Sequence, residues 1–240
     1  MEIHIASDTS KLSQDLAAWL SDYINEVLSK QERFTFVLSG GSTPKQLYSL
    51  LAESPYKESI DWTKIHFFWG DERAVPFEDS RNNAKMCYDE LLDKVPVNPA
   101  HIHVMRTDIA PEEAAVEYER ILKEYFKDSK VTFDFVLLGM GDDGHTLSLF
   151  PGTEVIHEKD AWVKAFYLPA QEMYRITLTA PVVNQAACVA FLATGAGKAN
   201  VLKYVIKGAP DVNLYPSQII KPVAGQLRWF VDDAAAGEIM

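Results

Sequence analysis

Short apolar runs alternate with amphipathic helical patterns along the chain, and this alternation constrains the possible folds more than any other feature. Glu2–Ala6 is followed by leucine or isoleucine at every fourth position from Leu12 to Leu28, which predicts a strand and then a long helix. The sequence predicts further strands at Phe34–Leu38, Ile65–Trp69, His101–Met105, Phe133–Leu138, Ala161–Leu168, Arg175–Thr179, Cys188–Thr194 and Gln226–Val231. Repeated strand–helix units favour an α/β fold with a mainly parallel, Rossmann-like sheet flanked by helices on both faces.

Helical patterns lie between most of these strands. Helices are predicted from the Pro44 region through Leu51, at Asn83–Lys94, at Pro111–Phe126 and at Lys198–Ile206. The strands Ala161–Leu168 and Arg175–Thr179 follow each other without a helix, so they are expected to form a hairpin-like excursion from the parallel sheet.

Nothing in the sequence divides the chain into separate units. Its 240 residues have a length that a single α/β domain commonly reaches. A hydrophobic content of 48% is enough for one sizeable core. Because linkers, repeats and low-complexity stretches are missing, we expect residues 1–240 to form one domain.

The charge of the chain limits the partners that it can have. The formal net charge of −11 argues against nucleic-acid or anionic-membrane partners, because both need a basic surface. A small anion is still a suitable ligand, since a few local cations can outweigh a distant acidic surface. No apolar run approaches the roughly 20 residues that span a bilayer, and the N-terminus lacks the pattern of a signal peptide. We therefore expect a cytoplasmic protein.

Cysteines and histidines give no pattern of a disulfide or a metal site. Cys87 and Cys188 lie far apart in sequence, which indicates two reduced, buried thiols. His101 and His103 alternate on a predicted strand, but no third ligand stands at a suitable spacing. The sequence therefore predicts no metal site.

Four loops rich in glycine or polar residues follow predicted strands. They are Gly40–Pro44, Gly70–Arg73, Gly139–His145 and Gly195–Lys198. The loops at the carboxyl ends of parallel strands gather at one edge of the sheet, where ligands bind. We expect these four loops to form one site.

The first of these loops has two interpretations. Gly40 and Gly41 permit close approach of the backbone, and Ser42 and Thr43 supply hydroxyl groups just before Pro44. A helix that begins here would present free N–H groups to a phosphate. Alternatively, Ser42 or Thr43 only caps the helix. The loop is not a Walker motif, because no Gly-Lys-Ser/Thr follows.

Cations follow or precede the other strands. Arg73, in the triplet that begins with Asp71, could clamp a phosphate or carboxylate with two hydrogen bonds, or could form an ion pair within the triplet. Arg175 and Lys198 stand at a strand end and a helix start, where each could reach an anion or simply be a solvated surface charge.

The loop after Phe133–Leu138 contains the main candidate for catalysis. His145 can accept or donate a proton near neutral pH, and either Asp142 or Asp143 could orient its ring. The spacing of Gly139, Gly141 and Gly144 formally matches a dinucleotide-binding motif, but the two aspartates would occupy the pyrophosphate position. No Gly-x-Ser-x-Gly nucleophile motif is present. A water molecule activated by His145 is therefore the favoured nucleophile.

Five segments together resemble one enzyme family. They are Ser39-Gly-Gly-Ser-Thr-Pro44, Trp69-Gly-Asp-Glu-Arg73, the segment Gly139–Gly152 with its Asp-Gly-His-Thr and Ser-Leu-Phe-Pro-Gly motifs, Arg175-Ile-Thr-Leu-Thr179 and Gly195-Ala-Gly-Lys198. In this order they are similar to the 6-phosphogluconolactonases of the glucosamine-6-phosphate isomerase/6-phosphogluconolactonase family. The related deaminases carry Asn-Glu-Pro after the histidine turn, where this chain has Leu149-Phe150-Pro151. This difference favours the lactonases.

The resemblance implies a cofactor-free hydrolysis of 6-phospho-D-glucono-1,5-lactone to 6-phosphogluconate, in the oxidative pentose phosphate pathway. It gives His145 the role of general base, with Asp143 beside it. It also implies that phosphate or sugar oxygens are bound by a set of polar residues: Gly40, Gly41, Ser42, Thr43, Asp71, Arg73, Arg175 and Lys198. Leu147 stands where the family usually has alanine, which is a conservative difference.

Two other functions are compatible with these motifs. An aldose–ketose isomerase or deaminase acting on glucosamine 6-phosphate would share the Asp-Gly-His turn, although the glutamate of that reaction is missing. A sugar-phosphate sensor without catalytic activity would use the same loops, and it would bind 6-phosphogluconate without hydrolysing the lactone.

Overall fold

Nine strands and eight α-helices make up the computed structural model, which describes residues 1–240. The strands are β1 Glu2–Ala6, β2 Phe34–Leu38, β3 Ile65–Trp69, β4 Asp71–Arg73, β5 Phe135–Gly139, β6 Val163–Leu168, β7 Met173–Leu178, β8 Cys188–Ala193 and β9 Gln226–Asp232. The α-helices are α1 Thr9–Leu28, α2 Ser42–Leu51, α3 Tyr56–Ser59, α4 Asn83–Cys87, α5 Pro111–Tyr125, α6 Ala180–Val183, α7 Ala199–Lys207 and α8 Asp233–Ala236.

Six strands form a parallel sheet in the order β1-β9-β8-β5-β2-β3. All residues of β2 and of β8 are buried, so the central part of the sheet is covered on both faces. A strand covered on both faces consists almost entirely of apolar residues, which explains the apolar runs in the sequence. The one polar residue of β2, Thr35, donates its hydroxyl to Asp134. The prediction of a mainly parallel α/β sheet is confirmed.

The first helix shows how the sequence determines local structure. The side chain of Asp8 accepts a hydrogen bond from the backbone N–H of Lys11 at 2.8 Å and caps the start of α1. Leu12, Leu16 and Leu20 follow at four-residue spacing and are fully buried. They belong to a core cluster of 57 buried residues, drawn from both ends of the chain.

A second, antiparallel sheet of three strands has the order β4-β7-β6. The predicted hairpin is present as β6 and β7. The triplet Asp71–Arg73, predicted as part of a loop, is instead strand β4 and pairs with β7, with Arg73 opposite Arg175. A three-residue polar strand has no apolar alternation, so only its pairing partner reveals it.

Two other predicted elements differ from the structure. The segment His101–Met105 was predicted as a strand and is not one. Ile102 makes a single parallel bridge to Phe67, and the N–H of His103 donates to the carbonyl oxygen of Phe67. The imidazole of His101 stacks on that of His66 at 3.7 Å. The helix predicted at Asn83–Lys94 ends as an α-helix at Cys87 and continues as a π-helical segment, Tyr88–Leu92.

Both cysteines are free and buried, as the sequence predicts. Burial raises the pKa of each thiol above its ordinary value. None of the helices combines the length and the apolar character needed to cross a bilayer.

Candidate active site

The four glycine-rich or polar loops meet at one edge of the parallel sheet and line a cavity of about 360 Å³. This arrangement follows from the parallel order of β2, β3, β5 and β8, whose carboxyl ends lie at the same edge. All but one of the predicted site residues line the cavity: Gly40, Gly41, Ser42, Thr43, Asp71, Arg73, His145, Arg175 and Lys198. The remaining one, Asp143, contacts His145 from outside the cavity wall.

The loop before α2 presents unused backbone donors to the cavity. Gly41 is the residue before the helix, its φ is 107°, and no side chain caps the helix. The alternative of a helix cap by Ser42 or Thr43 is therefore wrong. None of the N–H groups from Gly40 to Thr43 donates to an acceptor within the chain. Free N–H groups at a helix start form a site suited to an anion.

His145 and Asp143 form a hydrogen-bonded pair. Nδ1 of His145 lies 2.6 Å from Oδ1 of Asp143, and because a carboxylate only accepts, Nδ1 carries the proton. The other ring nitrogen, Nε2, is then free to accept a proton. The imidazole also stacks on the ring of Phe150, with 4.1 Å between centroids. Asp143, rather than Asp142, is thus the partner of His145.

The electrostatics of this pair favour an ionised Asp143. Partial burial raises the pKa of its carboxyl, but the hydrogen bond from His145 and the charge of that ring bring the pKa below its ordinary value. An ionised Asp143 accepts the Nδ1 proton of His145 and so fixes the orientation of the imidazole.

Gly141 makes room for this pair. A Cβ at position 141 would lie 2.1 Å from Nδ1 of His145 and 2.6 Å from Oδ1 of Asp143. Gly141 thus has a steric role in the histidine turn, in place of a role in dinucleotide binding.

Arg175 is a buried cation at the cavity wall, with only 4% of its surface exposed. It donates to Oε1 of Gln171 and lies 3.6 Å from Oδ2 of Asp71. Burial lowers the pKa of Arg175, and the negative charge of Asp71 opposes this effect. Arg175 is therefore not a solvated surface charge, and it is the cation paired with Asp71.

Arg73 has a different partner. Its NH1 group donates to the carbonyl oxygen of Arg81 at 2.7 Å, so the alternative of an ion pair between Arg73 and the acidic residues of its triplet is wrong. Its Nε is buried without a hydrogen-bond partner, as is the Nε of Arg175. Two arginines that line the same cavity favour an anion there.

Lys198 reaches the cavity from the loop after β8. Its Nζ lies 2.6 Å from Oδ1 of Asp142. This ion pair joins the loop after β5 to the loop after β8, and it gives Asp142 a role separate from that of Asp143. The alternative of a solvated surface charge holds only in part, because the side chain of Lys198 is 22% exposed but is paired with Asp142.

Two residues that support the site were not identified from the sequence. The buried carboxylate of Glu72 accepts backbone N–H bonds from Arg73, Asn83 and Ala84 at 2.7–2.8 Å. Burial raises the pKa of Glu72 to about 7, although the three N–H donors act in the opposite direction. The side-chain amide of Asn83 donates to the carbonyl oxygen of Asp71. Asn83 also leaves no room for a side chain at Gly40, where a Cβ would lie 1.9 Å from Oδ1 of Asn83. Only the fold brings these residues together.

No group of three or more His, Cys, Asp or Glu side chains is arranged to hold a metal ion. The imidazoles of His66, His101 and His103 do lie in a row, but their planes are stacked within 13–19° of parallel. Such rings pack against each other and do not converge on one point.

Comparison with known proteins adds to this geometry. A family model described as "Glucosamine-6-phosphate isomerases/6-phosphogluconolactonase" matches residues 7–229. A "6-phosphogluconolactonase" of Nostoc sp. is 40% identical over 90% of this chain and 89% of its own length. A "Probable 6-phosphogluconolactonase 3, chloroplastic" of Oryza sativa subsp. indica is also 40% identical, over 93% of this chain and 72% of its own length. The structure of "6-phosphogluconolactonase from Trypanosoma cruzi" superposes with a TM-score of 0.87 at 28% identity, covering 100% of this chain and 97% of the other.

Proposed function

The chain belongs to the glucosamine-6-phosphate isomerase/6-phosphogluconolactonase family, and from this premise we propose that it is a 6-phosphogluconolactonase, with His145 as the general base. The family description covers two activities, so the choice between them rests on other observations. The Nostoc and rice relatives are both named as lactonases. The observation that carries the mechanism is the hydrogen bond between Asp143 and His145, on a cavity whose walls carry free N–H groups and cations.

The surroundings of His145 favour the lactonase over the deaminase. Phe150 stacks on the imidazole, at the place where the deaminases carry glutamate. Asp143 is then the only carboxylate hydrogen-bonded to His145. Hydrolysis of an ester needs one base for one water molecule, and this pair supplies it.

The substrate is anchored at a distance from the reacting carbonyl carbon. The N–H groups from Gly40 to Thr43, together with Arg73, Arg175 and Lys198, bind the phosphate and the sugar oxygens. These contacts hold the carbonyl carbon of the lactone in a fixed orientation relative to His145, so that binding of the phosphate lowers the entropic cost of reaching the transition state.

The reaction begins with water attacking C1 of the lactone while Nε2 of His145 removes a proton from that water. The negative charge that develops on the carbonyl oxygen is stabilised by N–H groups or by a cation such as Arg73. The ring C–O bond then breaks, and the imidazolium returns the proton to the leaving ring oxygen. The product is the open-chain acid, and Asp143 holds the ring in place through both proton transfers.

We place this activity in one domain of residues 1–240, in the oxidative pentose phosphate pathway. The two buried, unpaired thiols suit a reducing compartment, and we propose the cytoplasm.

The test is to produce the lactone in place with glucose-6-phosphate dehydrogenase and to measure 6-phosphogluconate formation with a coupled dehydrogenase. We expect formation well above the spontaneous rate of lactone opening. Equal rates with and without the protein would refute the proposal. Ammonia release from glucosamine 6-phosphate would identify a deaminase instead, and binding of 6-phosphogluconate without hydrolysis would identify a sensor.

A further inference from the structure

One carbonyl oxygen in the histidine turn accepts two hydrogen bonds from a single distant residue. The backbone N–H of Ser217 donates to the carbonyl oxygen of Gly144 at 2.9 Å, and the Ser217 hydroxyl donates to the same oxygen at 2.8 Å. Ser217 is 2% exposed. It lies in the 3₁₀ turn Pro216–Ile219, outside every motif by which the sequence identifies the site.

The acceptor belongs to the peptide unit that joins Gly144 to His145. The N–H of the same unit donates to Oδ1 of Asp143 at 3.1 Å. The unit is thus held at its oxygen by Ser217 and at its nitrogen by Asp143. Rotation of this peptide would break the bond from the His145 N–H to Oδ1 of Asp143, the same oxygen that Nδ1 of His145 contacts, and so would release the carboxylate from its place beside the ring.

The turn itself restrains this peptide only in part. Gly144 has a φ of 79°, in a region that glycine enters with little cost, and its N–H donates to the carbonyl oxygen of Gly141 at 3.1 Å, while the N–H of Gly141 donates to the carbonyl oxygen of His145 at 2.8 Å. Neither bond engages the carbonyl oxygen of Gly144, which accepts only from Ser217, outside the turn. Tyr215 adds steric confinement, because its Cα would lie 3.3 Å from a Cβ at position 144.

The segment that carries Ser217 is itself fixed. Gln218 donates to the carbonyl oxygens of Tyr204 and Ala209 and accepts a bond from the N–H of Asp211 at 2.6 Å. The ring of Tyr215 stacks on that of Tyr204, with 5.3 Å between centroids and 3° between planes. Ser217 is thus anchored to α7 and not to a free loop.

We propose that Ser217 is a positioning residue for His145: its hydroxyl holds the Gly144–His145 peptide so that the imidazole meets Asp143 and faces the cavity. This inference rests on the proposed function, since it concerns the same histidine. It assigns part of the catalytic geometry to a residue 72 positions away in sequence.

The test compares Ser217→Ala with Ser13→Ala. Ser13 is also a buried serine, and its hydroxyl donates to the carbonyl oxygen of Thr9 at 2.9 Å within α1, away from the cavity. We expect both variants to lower Tm by similar amounts. Ser217→Ala should lower kcat about 10-fold at unchanged KM, because small displacements of a catalytic group are costly, whereas Ser13→Ala should leave kcat unchanged. Ser217→Thr, which retains the hydroxyl, should restore most of kcat.

A second readout needs no activity. The Nδ1 proton of His145, bonded to a carboxylate, should give a low-field NMR resonance in the native protein and in Ser13→Ala, and this resonance should weaken or move in Ser217→Ala. An unchanged resonance, or an unchanged kcat in an active protein, would overturn the inference.

If the native protein does not hydrolyse the lactone, the proposed function is overturned instead. The NMR resonance would then be the only test of whether Ser217 positions His145. If Ser217→Ala does not fold, Ser217→Cys, with a weaker donor of similar volume, should show a smaller change in the same direction.

Discussion

Arg73 and Arg175 lie directly opposite each other on the antiparallel strands β4 and β7. Like charges at paired positions destabilise a sheet, and here both side chains also line the cavity. Each Nε is buried without a hydrogen-bond partner. The carboxylate of Asp71, 3.6 Å from Arg175, offsets part of this repulsion, and an anion bound in the cavity beside the two guanidinium groups would offset more of it.

This relationship predicts the effect of removing Arg73. Arg73→Ala should weaken binding of 6-phosphogluconate about 10- to 100-fold, because a charge-assisted hydrogen bond contributes about 1.5–3 kcal/mol. Isothermal titration calorimetry measures this Kd. Arg81→Ala is the control, since the exposed Arg81 side chain pairs with Asp79 and does not line the cavity. Equal Kd values for the native protein and Arg73→Ala would argue against Arg73 as a ligand of the substrate.

Loss of the general base should act on turnover and not on binding. We expect His145→Ala to reduce kcat at least about 10²-fold, with KM changed little, because a positioned base contributes about 10²–10⁴-fold. The control is His157→Ala, at an exposed histidine outside the cavity. Near-native kcat in His145→Ala would exclude the role of base for this residue.

Two glycines offer a steric test with a control. In Gly141→Ala, the new methyl group would collide with the Asp143–His145 pair, so kcat should fall by about 10²-fold. In Gly237→Ala, outside the cavity, the new Cβ would make only ordinary contacts at 3.8 and 3.9 Å, and both kcat and Tm should stay close to native values. Similar kcat values for the two variants would show that the pair tolerates displacement.

His66 on β3 should contribute a loss of stability as the pH is lowered, whereas the raised pKa of the buried Glu72 acts in the opposite direction. Burial, and then the charges of His101, Arg33 and His103, lower the pKa of His66 to about 4, from an ordinary value of 6.5. Between these values the unfolded chain binds the His66 proton more tightly, so the contribution of His66 to the free energy of unfolding decreases as the pH falls from 6.5 towards 4. The ring is partly exposed, and we expect a contribution of about 1 kcal/mol.

Urea unfolding at pH 7 and at pH 5 measures this contribution. His66→Phe retains the stacking and removes the titration, so it should lose less stability between the two pH values than the native chain does. The exposed His157 gives the control, and His157→Phe should follow the native pH dependence. A His66→Phe variant with native pH dependence would assign the effect to other groups.

Local periodicity was sufficient to predict most of the fold. The central strands β2 and β8 of the parallel sheet are buried throughout, so their apolar runs are easy to recognise. The loops that follow parallel strands meet at one edge of the sheet. The pairing of His145 with an aspartate could also be predicted from the sequence, because Asp143 is only two residues away.

Contacts between distant segments were not predictable in this way. Strand β4 is formed by polar residues and depends on β7. Glu72 binds N–H groups of Asn83 and Ala84, which only tertiary structure brings near. The segment His101–Met105 has the residue types of a strand, but it forms only one bridge, from Ile102 to Phe67, and so is not a strand.

The burial of Cys87 and Cys188 makes the native surface inert towards thiol-directed reagents, since the thiolate is the reactive form and burial raises both thiol pKa values. A cysteine introduced at Asp142, whose side chain is 77% exposed at the cavity rim, would therefore be the single labelled position of the folded protein. A fluorophore attached there would report ligand entry directly, with both natural cysteines left in place.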